Sequence, residues 1–265
     1  MRPVIHPYSH AAIAATAEPL PETRLVSVAR SSTWLARGFD DLRAYPAISL
    51  GYGALFAAVG WLLTFGLHGL GMDSLILPLA SGFLLVAPLA AVGLYEVSRR
   101  REAGEAVALR HALAAIGGNR QMADLGLVLM LLFFVWFQLA MIIFALFFGG
   151  SPPGLGEFVP QVLSAPQGMP FLAAGTVVGG AVATAAFSIS VVSMPMLLER
   201  RVSVLTAMRA SLRSVWLNRR MMVGWAATLA ALGFLGMAFF FVGLAVTLPV
   251  AAHASWHAYR DLVGR

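Results

Sequence analysis

The chain has 265 residues, of which 59% are hydrophobic and 11% charged, with a mean hydropathy of +0.81. A water-soluble domain of this length carries about 25% charged residues, so a soluble globular core is excluded and lipid is the expected solvent for most side chains. The net charge of +6 rests on 18 arginines and no lysine, and the absence of cysteine removes disulfides, zinc–thiolate sites, iron–sulfur clusters and cysteine nucleophiles.

The arginines fall in four short stretches: five in residues 1–45, five in 98–122, six in 199–220 and two in 258–265. The runs between them carry almost no charge. Short basic loops stay on the cytoplasmic side of a membrane because carrying guanidinium across is costly. The pattern therefore predicts an N-in/C-in protein of the inner membrane, and arginine without lysine points to a GC-rich bacterial genome. The counter-charge expected for this basicity is anionic phospholipid, not nucleic acid.

Residues 1–28 are interrupted by His6, Pro7, His10, Glu18, Pro19, Pro21 and Glu22. They make no secretory signal and are expected as a disordered cytoplasmic tail, with 29–263 forming one membrane domain. A crossing helix needs about 20 mostly apolar residues. Spans are expected at about 46–67, 74–96, 124–148, 170–198, 220–236 and 238–258. The stretch SPPGLGEFVPQVLSAPQGMP after the third has too many prolines and glycines for a long helix. The uncharged run 221–259 has 39 residues; as one helix it would be about 58 Å long. It is read as two spans, with Gly233 and Gly236 near the turn. The predicted fold is all-α: six transmembrane helices in three hairpins, each preceded by a cytoplasmic amphipathic interfacial helix.

Those interfacial helices belong to a threefold repeat. With Tyr45, Asn119 and Asn218 aligned, Leu35, Leu109 and Met208 coincide, as do Phe39, Leu113 and Leu212, and Leu42, Ile116 and Val215. The spacing i, i+4, i+7 is one helix face, and arginines such as Arg110 and Arg209 occupy the others. NRQM (119–122) matches NRRM (218–221), Glu96 matches Glu199, and PLAAVGLYE (88–96) matches PVAAHASWH (249–257), which sets His257 opposite Glu96. Pro88, Pro195 and Pro249 lie in the second span of each unit, where a missing N–H can kink a helix. Gly175, Gly179 and Ala183 make a small-residue packing face; Thr176, Gly180, Thr184 and Ser188 run beside it as the stripe that could line a solute path.

Few residues can carry chemistry. Glu96 and Glu199 close spans beside Arg99, Arg100, Arg101, Arg200 and Arg201, and interfacial ion pairing is expected there. These arginines, with Arg219 and Arg220, are the expected lipid-headgroup contacts. Asp124 is read as a cap on the third span, and Gln138, near mid-membrane, as a hydrogen-bonding group between helices. His253 and His257 share one helix face at four-residue spacing. They are the one pair that could hold a metal or haem, with Glu96 or Glu199 as the third ligand; as neighbours of Trp256 and Tyr259 they read equally as interfacial anchors. No cofactor is otherwise expected. No G-x-S-x-G, H-E-x-x-H, phosphate-binding Walker motif or strand-borne G-x-G-x-x-G is present, so no catalytic residue is assigned.

The stretches FDDLRAYPAISLGYGALFAAVGWLL, SGFLLVAPLAAVGLYEVSRRREAGE, VVSMPMLLERRVSVLTAM and LPVAAHASWHAYRDLV resemble the bacterial membrane family called domain of unknown function 2189, over about residues 34–263. The resemblance implies a multispan inner-membrane protein. Some members are labelled as cytochrome c oxidase subunits. An oxidase core needs about a dozen spans and six histidine ligands on several helices, which this chain does not offer, so the resemblance leaves an accessory role beside an oxidase-type complex. The leading expectation is a non-enzymatic accessory or organising factor for membrane complexes. The rivals are a small-solute transporter or channel, and an oxidase-associated haem or metal protein.

Overall fold

The computed structural model describes residues 20–117, 119–149 and 155–264. Twelve α-helices occur among them: α1 (Arg30–Ala44), α2 (Pro46–Gly69), α3 (Ile76–Ala90), α4 (Val92–Glu102), α5 (Leu109–Gly117), α6 (Arg120–Phe148), α7 (Leu155–Ser164), α8 (Gly168–Ser190), α9 (Ser193–Glu199), α10 (Val204–Leu217), α11 (Arg219–Ala238) and α12 (Leu244–Leu262). No strand occurs among the described residues beyond one isolated bridge, Thr23 with Val263.

Five segments are long and apolar enough to cross a membrane: Pro46–Gly69, Asp73–Glu102, Arg120–Phe148, Gly168–Glu199 and Arg219–Ala238. The sixth expected span does not qualify. Its helix, α12, carries His253, Ser255, His257, Tyr259, Arg260 and Asp261 and is the most enclosed long helix of the fold, with eleven buried residues. It packs chiefly on α1, α2, α11 and α4. A helix surrounded by protein needs partners for its polar groups more than it needs hydropathy, which explains both its composition and its place.

The turn before α12 also lies elsewhere than expected. α11 runs through Gly233 and Gly236 and ends at Ala238; the turn occupies 239–243, with Phe240 and Phe241 at φ 49° and 62°. The two glycines serve close approach instead. A Cβ on Gly236 would lie 3.1 Å from the Leu244 backbone nitrogen, and one on Gly233 would meet the Leu84 side chain at 2.3 Å.

Two of the three intramembrane prolines mark real breaks. The second crossing divides at Ala91, three residues after Pro88, and the Tyr52 hydroxyl donates to the carbonyl of Ala90 at 2.8 Å. The fourth divides at 191–192, before Pro195. There Ser211 of α10 takes the place of the lost helical bond: its hydroxyl donates to the Ser188 carbonyl at 2.8 Å and accepts from the Val192 N–H at 3.2 Å. α12 continues unbroken through Pro249. The proline-rich segment after the third crossing holds a ten-residue helix, α7, with Pro160 inside it; residues 150–154 lie outside the described ones.

The amphipathic helices form where expected. Tyr45, Asn119 and Asn218 each immediately precede a long helix and serve as its N-cap. The positions turned inward are Trp34, Gly38 and Asp41 in α1, Ala112 in α5, and Ala207, Ser211 and Ser214 in α10. Gly38, Ala112 and Ser211 share one repeat position. The apolar stripe is divided: Phe39, Leu109, Leu113 and Leu212 are exposed, Leu35, Met208 and Val215 are half-buried against the core, and Leu42 is buried; the side chain of Ile116 lies outside the described ones. Small residues face the bundle because the helices lie close, and the larger apolar groups are left for lipid.

Residues 1–19 lie outside the described residues. Residues 20–28, expected to be disordered with them, are pinned in part. Arg24 N–H donates to Leu262 O at 2.8 Å, Gly264 N–H to Glu22 O at 3.1 Å, and Val26 N–H to Asn218 Oδ1 at 2.8 Å. Extended chain was not legible here because its partners are distant in sequence.

Candidate functional site: a buried aspartate–histidine cluster

At the arginine-bearing end of the bundle, α1, α2, α4 and α12 bring together Asp41, Ser49, Ser98, Arg101, His253 and His257. His253 and Ser49 are 0% exposed, Ser98 1% and Asp41 3%. The His253 Nε2 lies 3.0 Å from Ser49 Oγ and its Nδ1 lies 2.7 Å from Ser98 Oγ. Ser98 donates to Asp41 Oδ2. Its oxygen must therefore accept from Nδ1–H of a neutral His253, whose Nε2 then accepts from Ser49. His257 Nε2 donates to the same Asp41 oxygen at 2.9 Å, and Arg101 Nη1 donates to Oδ1. Burial pushes the Asp41 carboxyl up, but hydrogen bonds from His257 and Ser98 outweigh it and hold the group below the usual carboxylate range.

The neighbouring polar groups are equally committed. Arg99 and Arg100 clamp Glu96, with Nε–O distances of 2.7 and 2.6 Å, and both reach Glu105. Glu199 accepts from Tyr259 and Arg260 and lies 3.7 Å from Arg200. Glu102 accepts from Trp256 Nε1 at 3.1 Å and from Arg260, and Asp261 accepts from Trp34 Nε1 at 2.8 Å. The last two turns of α12 thus bind three other helices, α1, α4 and α9, through side chains.

This arrangement does not suit a metal. His253 and His257 do share a face, but their carboxylate neighbour is Asp41, not Glu96 or Glu199, both of which arginine already holds. Each imidazole nitrogen with an assigned contact is spent on a protein partner. No three His, Asp or Glu side chains are arranged to hold a metal ion among the described residues. Asp41, Ser49, Ser98 and His253 are buried, while the His257 and Arg101 side chains keep 14% and 38% exposure.

Other candidates fall into two groups. Arg201, Arg219 and Arg220 are exposed and form no ion pair among the described residues, whereas Arg99, Arg100, Arg101 and Arg200 are bound to protein. Asp124 does not cap α6: Asn119 Oδ1 accepts from the Gln121 N–H at 2.9 Å and does so instead. Asp124 and Gln138 are exposed without a hydrogen-bond partner among the described residues. The interhelical bond expected of Gln138 is not made, because its side of α6 faces out of the bundle. Gly179 packs on the Trp136 ring. Gly175, Ala183 and the Thr176–Ser188 stripe line a cavity of about 760 Å³ between α3, α8, α11 and α12, which does not reach Gln138.

Asp41 escaped the sequence reading. The signal was present in the repeat, which puts Ala115 and Ser214 at its position: one unit replaces a small inward residue by a carboxylate, and only α12 supplies histidines to meet it.

Comparison with curated proteins and with solved structures finds no match. The family likeness is narrower by this comparison than by motif, since it stops at Glu199 and leaves LPVAAHASWHAYRDLV outside. Residues 76–199, from the start of α3 to the end of α9, match the family described as predicted integral membrane protein (DUF2189), and the likeness is to that segment.

Proposed function

We propose that the protein is a non-enzymatic organising factor of a bacterial inner membrane, with six crossings in three hairpins and both termini in the cytoplasm. α12 is the sixth crossing, shielded from lipid by its neighbours. The observation that carries this reading is the shared end of the bundle. Asn119 Nδ2 donates to Leu197 O at 2.7 Å, Val204 N–H to Gln121 Oε1 at 2.8 Å, and Asn218 joins residues 24 and 26, which links the start of α6 to α9 and α10, and the α10–α11 junction to the segment before α1, at this face. That face shows exposed Leu205, Leu212 and Trp216 beside Arg209, Arg213, Arg219 and Arg220, the composition of a surface that rests on anionic headgroups. Its acidic and histidine side chains are largely consumed in mutual bonds, which favours holding over catalysis.

Small-solute transport is the second reading, favoured by the cavity along α8. Against it, mid-membrane Gln138 lies outside that cavity, and solute sites generally need deep polar groups.

The chain has no native cysteine, so single-cysteine variants give a clean topology test. Arg110→Cys and Arg209→Cys are expected to resist an impermeant maleimide in intact spheroplasts, while Met72→Cys reacts. Labelling of 110 and 209 from opposite sides would end the six-crossing arrangement. For the organising role, native gels of membranes from a deletion strain are expected to show altered complexes; unchanged complexes, with no partner recovered in mild detergent, would end that role.

A further inference from the structure

We propose that the cavity between α8 and α11 is a seat for one anionic phospholipid, its acyl chain inside and its phosphate at Arg219. This rests on the membrane placement above but not on the organising role.

The cavity measures about 760 Å³, within the roughly 300–1,000 Å³ of small-molecule sites. Its lips are exposed: Val223 and Phe234 on α11 are 71% and 53% accessible, and Gly180 and Thr184 face them from α8. α8 packs chiefly on α6 and α10 and α11 chiefly on α12, while α8 and α11 scarcely touch each other, so the gap between them opens sideways. A sideways mouth in a crossing helix pair admits hydrocarbon before water.

The polar residues of the lining do not argue for a hydrophilic occupant. Thr184 donates to Gly180 O at 2.7 Å, Ser190 to Ala186 O at 2.6 Å, Ser255 to Ala251 O at 2.7 Å, and Ser81 to its own helix at 2.9 Å. Four hydroxyls are thus bonded within their own helices and leave mostly carbon facing the space. Thr247, also on the lining, has a buried hydroxyl without a hydrogen-bond partner among the described residues.

Charge selects the headgroup. Arg219 is the one charged residue lining the cavity. It is the first residue of α11, at the end that carries the arginine-rich helices, and it is exposed with no ion pair among the described residues. A chain entering between α8 and α11 with its phosphate at Arg219 lies parallel to bilayer lipids, so no inversion is needed.

Native mass spectrometry of the full chain, incubated in mild detergent with equal phosphatidylglycerol and phosphatidylcholine, reads the site directly. The expected result is one retained phosphatidylglycerol with little phosphatidylcholine. Arg219→Gln should cut that preference about fivefold, in line with the contribution of one arginine near a lipid surface. Gly180→Phe combined with Ala227→Phe should abolish retention; a Cβ at Gly180 meets no atom within 4 Å, so the added ring enters the space rather than a neighbour. Equal retention of both lipids by the native chain, or undiminished retention after filling, would overturn the assignment. A second measurement covers misfolding of the filled variant. Phosphatidylglycerol with a photoreactive acyl chain should label native peptides covering 175–188 and 223–234, and labelling confined to the outer face of α6 would overturn the proposal. Failure here leaves the cysteine topology test untouched, and failure there leaves lipid retention to be read on its own.

Discussion

Replacing Asp41 by alanine removes the acceptor on which Ser98, His257 and Arg101 converge. Ser98 is 1% exposed and the His257 side chain 14%, so neither regains much water, whereas the Arg101 side chain is 38% exposed and can turn outward. Counting only the two enclosed partners, at about 1–3 kcal/mol for each group left unsatisfied, and discounting the arginine, the loss is about 3 kcal/mol. It falls on the docking of α1 against α4, through Ser98, and against α12, through His257. At about 1.4 kcal/mol per factor of ten, amides of residues 30–44 should exchange about a hundredfold faster with deuterium, read by mass spectrometry in detergent, while α6 peptides keep their rates. Asp41→Asn, which retains an acceptor for Ser98, should give a smaller rise. Acid should reproduce the effect. The folded carboxyl lies below its usual range, so its stabilising contribution is complete above about pH 4 and disappears as pH falls through the folded value. If α1 exchange in Asp41→Ala stays within threefold of the native rate, the carboxylate is not what holds α1, and the reading of the cluster is wrong.

Two further substitutions probe how α12 is held. Gly53→Ala puts a Cβ 2.6 Å from the Ala245 carbonyl oxygen, whereas Gly51→Ala meets nothing within 4 Å; the first should cost about 1–3 kcal/mol by overpacking in detergent unfolding and the second almost none, and equal effects would refute the close crossing of α2 and α12. Asn218→Ala should free residues 22–26, which Asn218 holds through the Arg24 carbonyl and the Val26 N–H, so that limited trypsin cuts after Arg24 at least tenfold faster; an unchanged rate would mean the bridge of Thr23 to Val263 suffices.

Much of the architecture was legible from local physics. Long uncharged runs mark helices because lipid forbids unpaired backbone, and the shared period of the three basic stretches marks amphipathic helices because sequence spacing is helix geometry. The repeat aligned Tyr45, Asn119 and Asn218, which the structure places as helix N-caps, although the cap expected at Asp124 is not made. What failed did so where a residue's role depends on a distant neighbour. Gly233 and Gly236 read as turn residues, yet they admit Leu84 and α12. Gln138 reads as a bonding group, yet its partner helix is elsewhere.

The sequence alone determined that this is a helical membrane protein with its basic segments gathered into short stretches, since hydropathy and charge act residue by residue. Only the tertiary structure decided that the least apolar of the six expected spans stands at the centre. Its histidines, Trp256, Tyr259, Arg260 and Asp261 acquire meaning from Asp41, Glu102, Glu199 and Trp34. Those partners lie on other helices, at separations in the chain that no periodicity records.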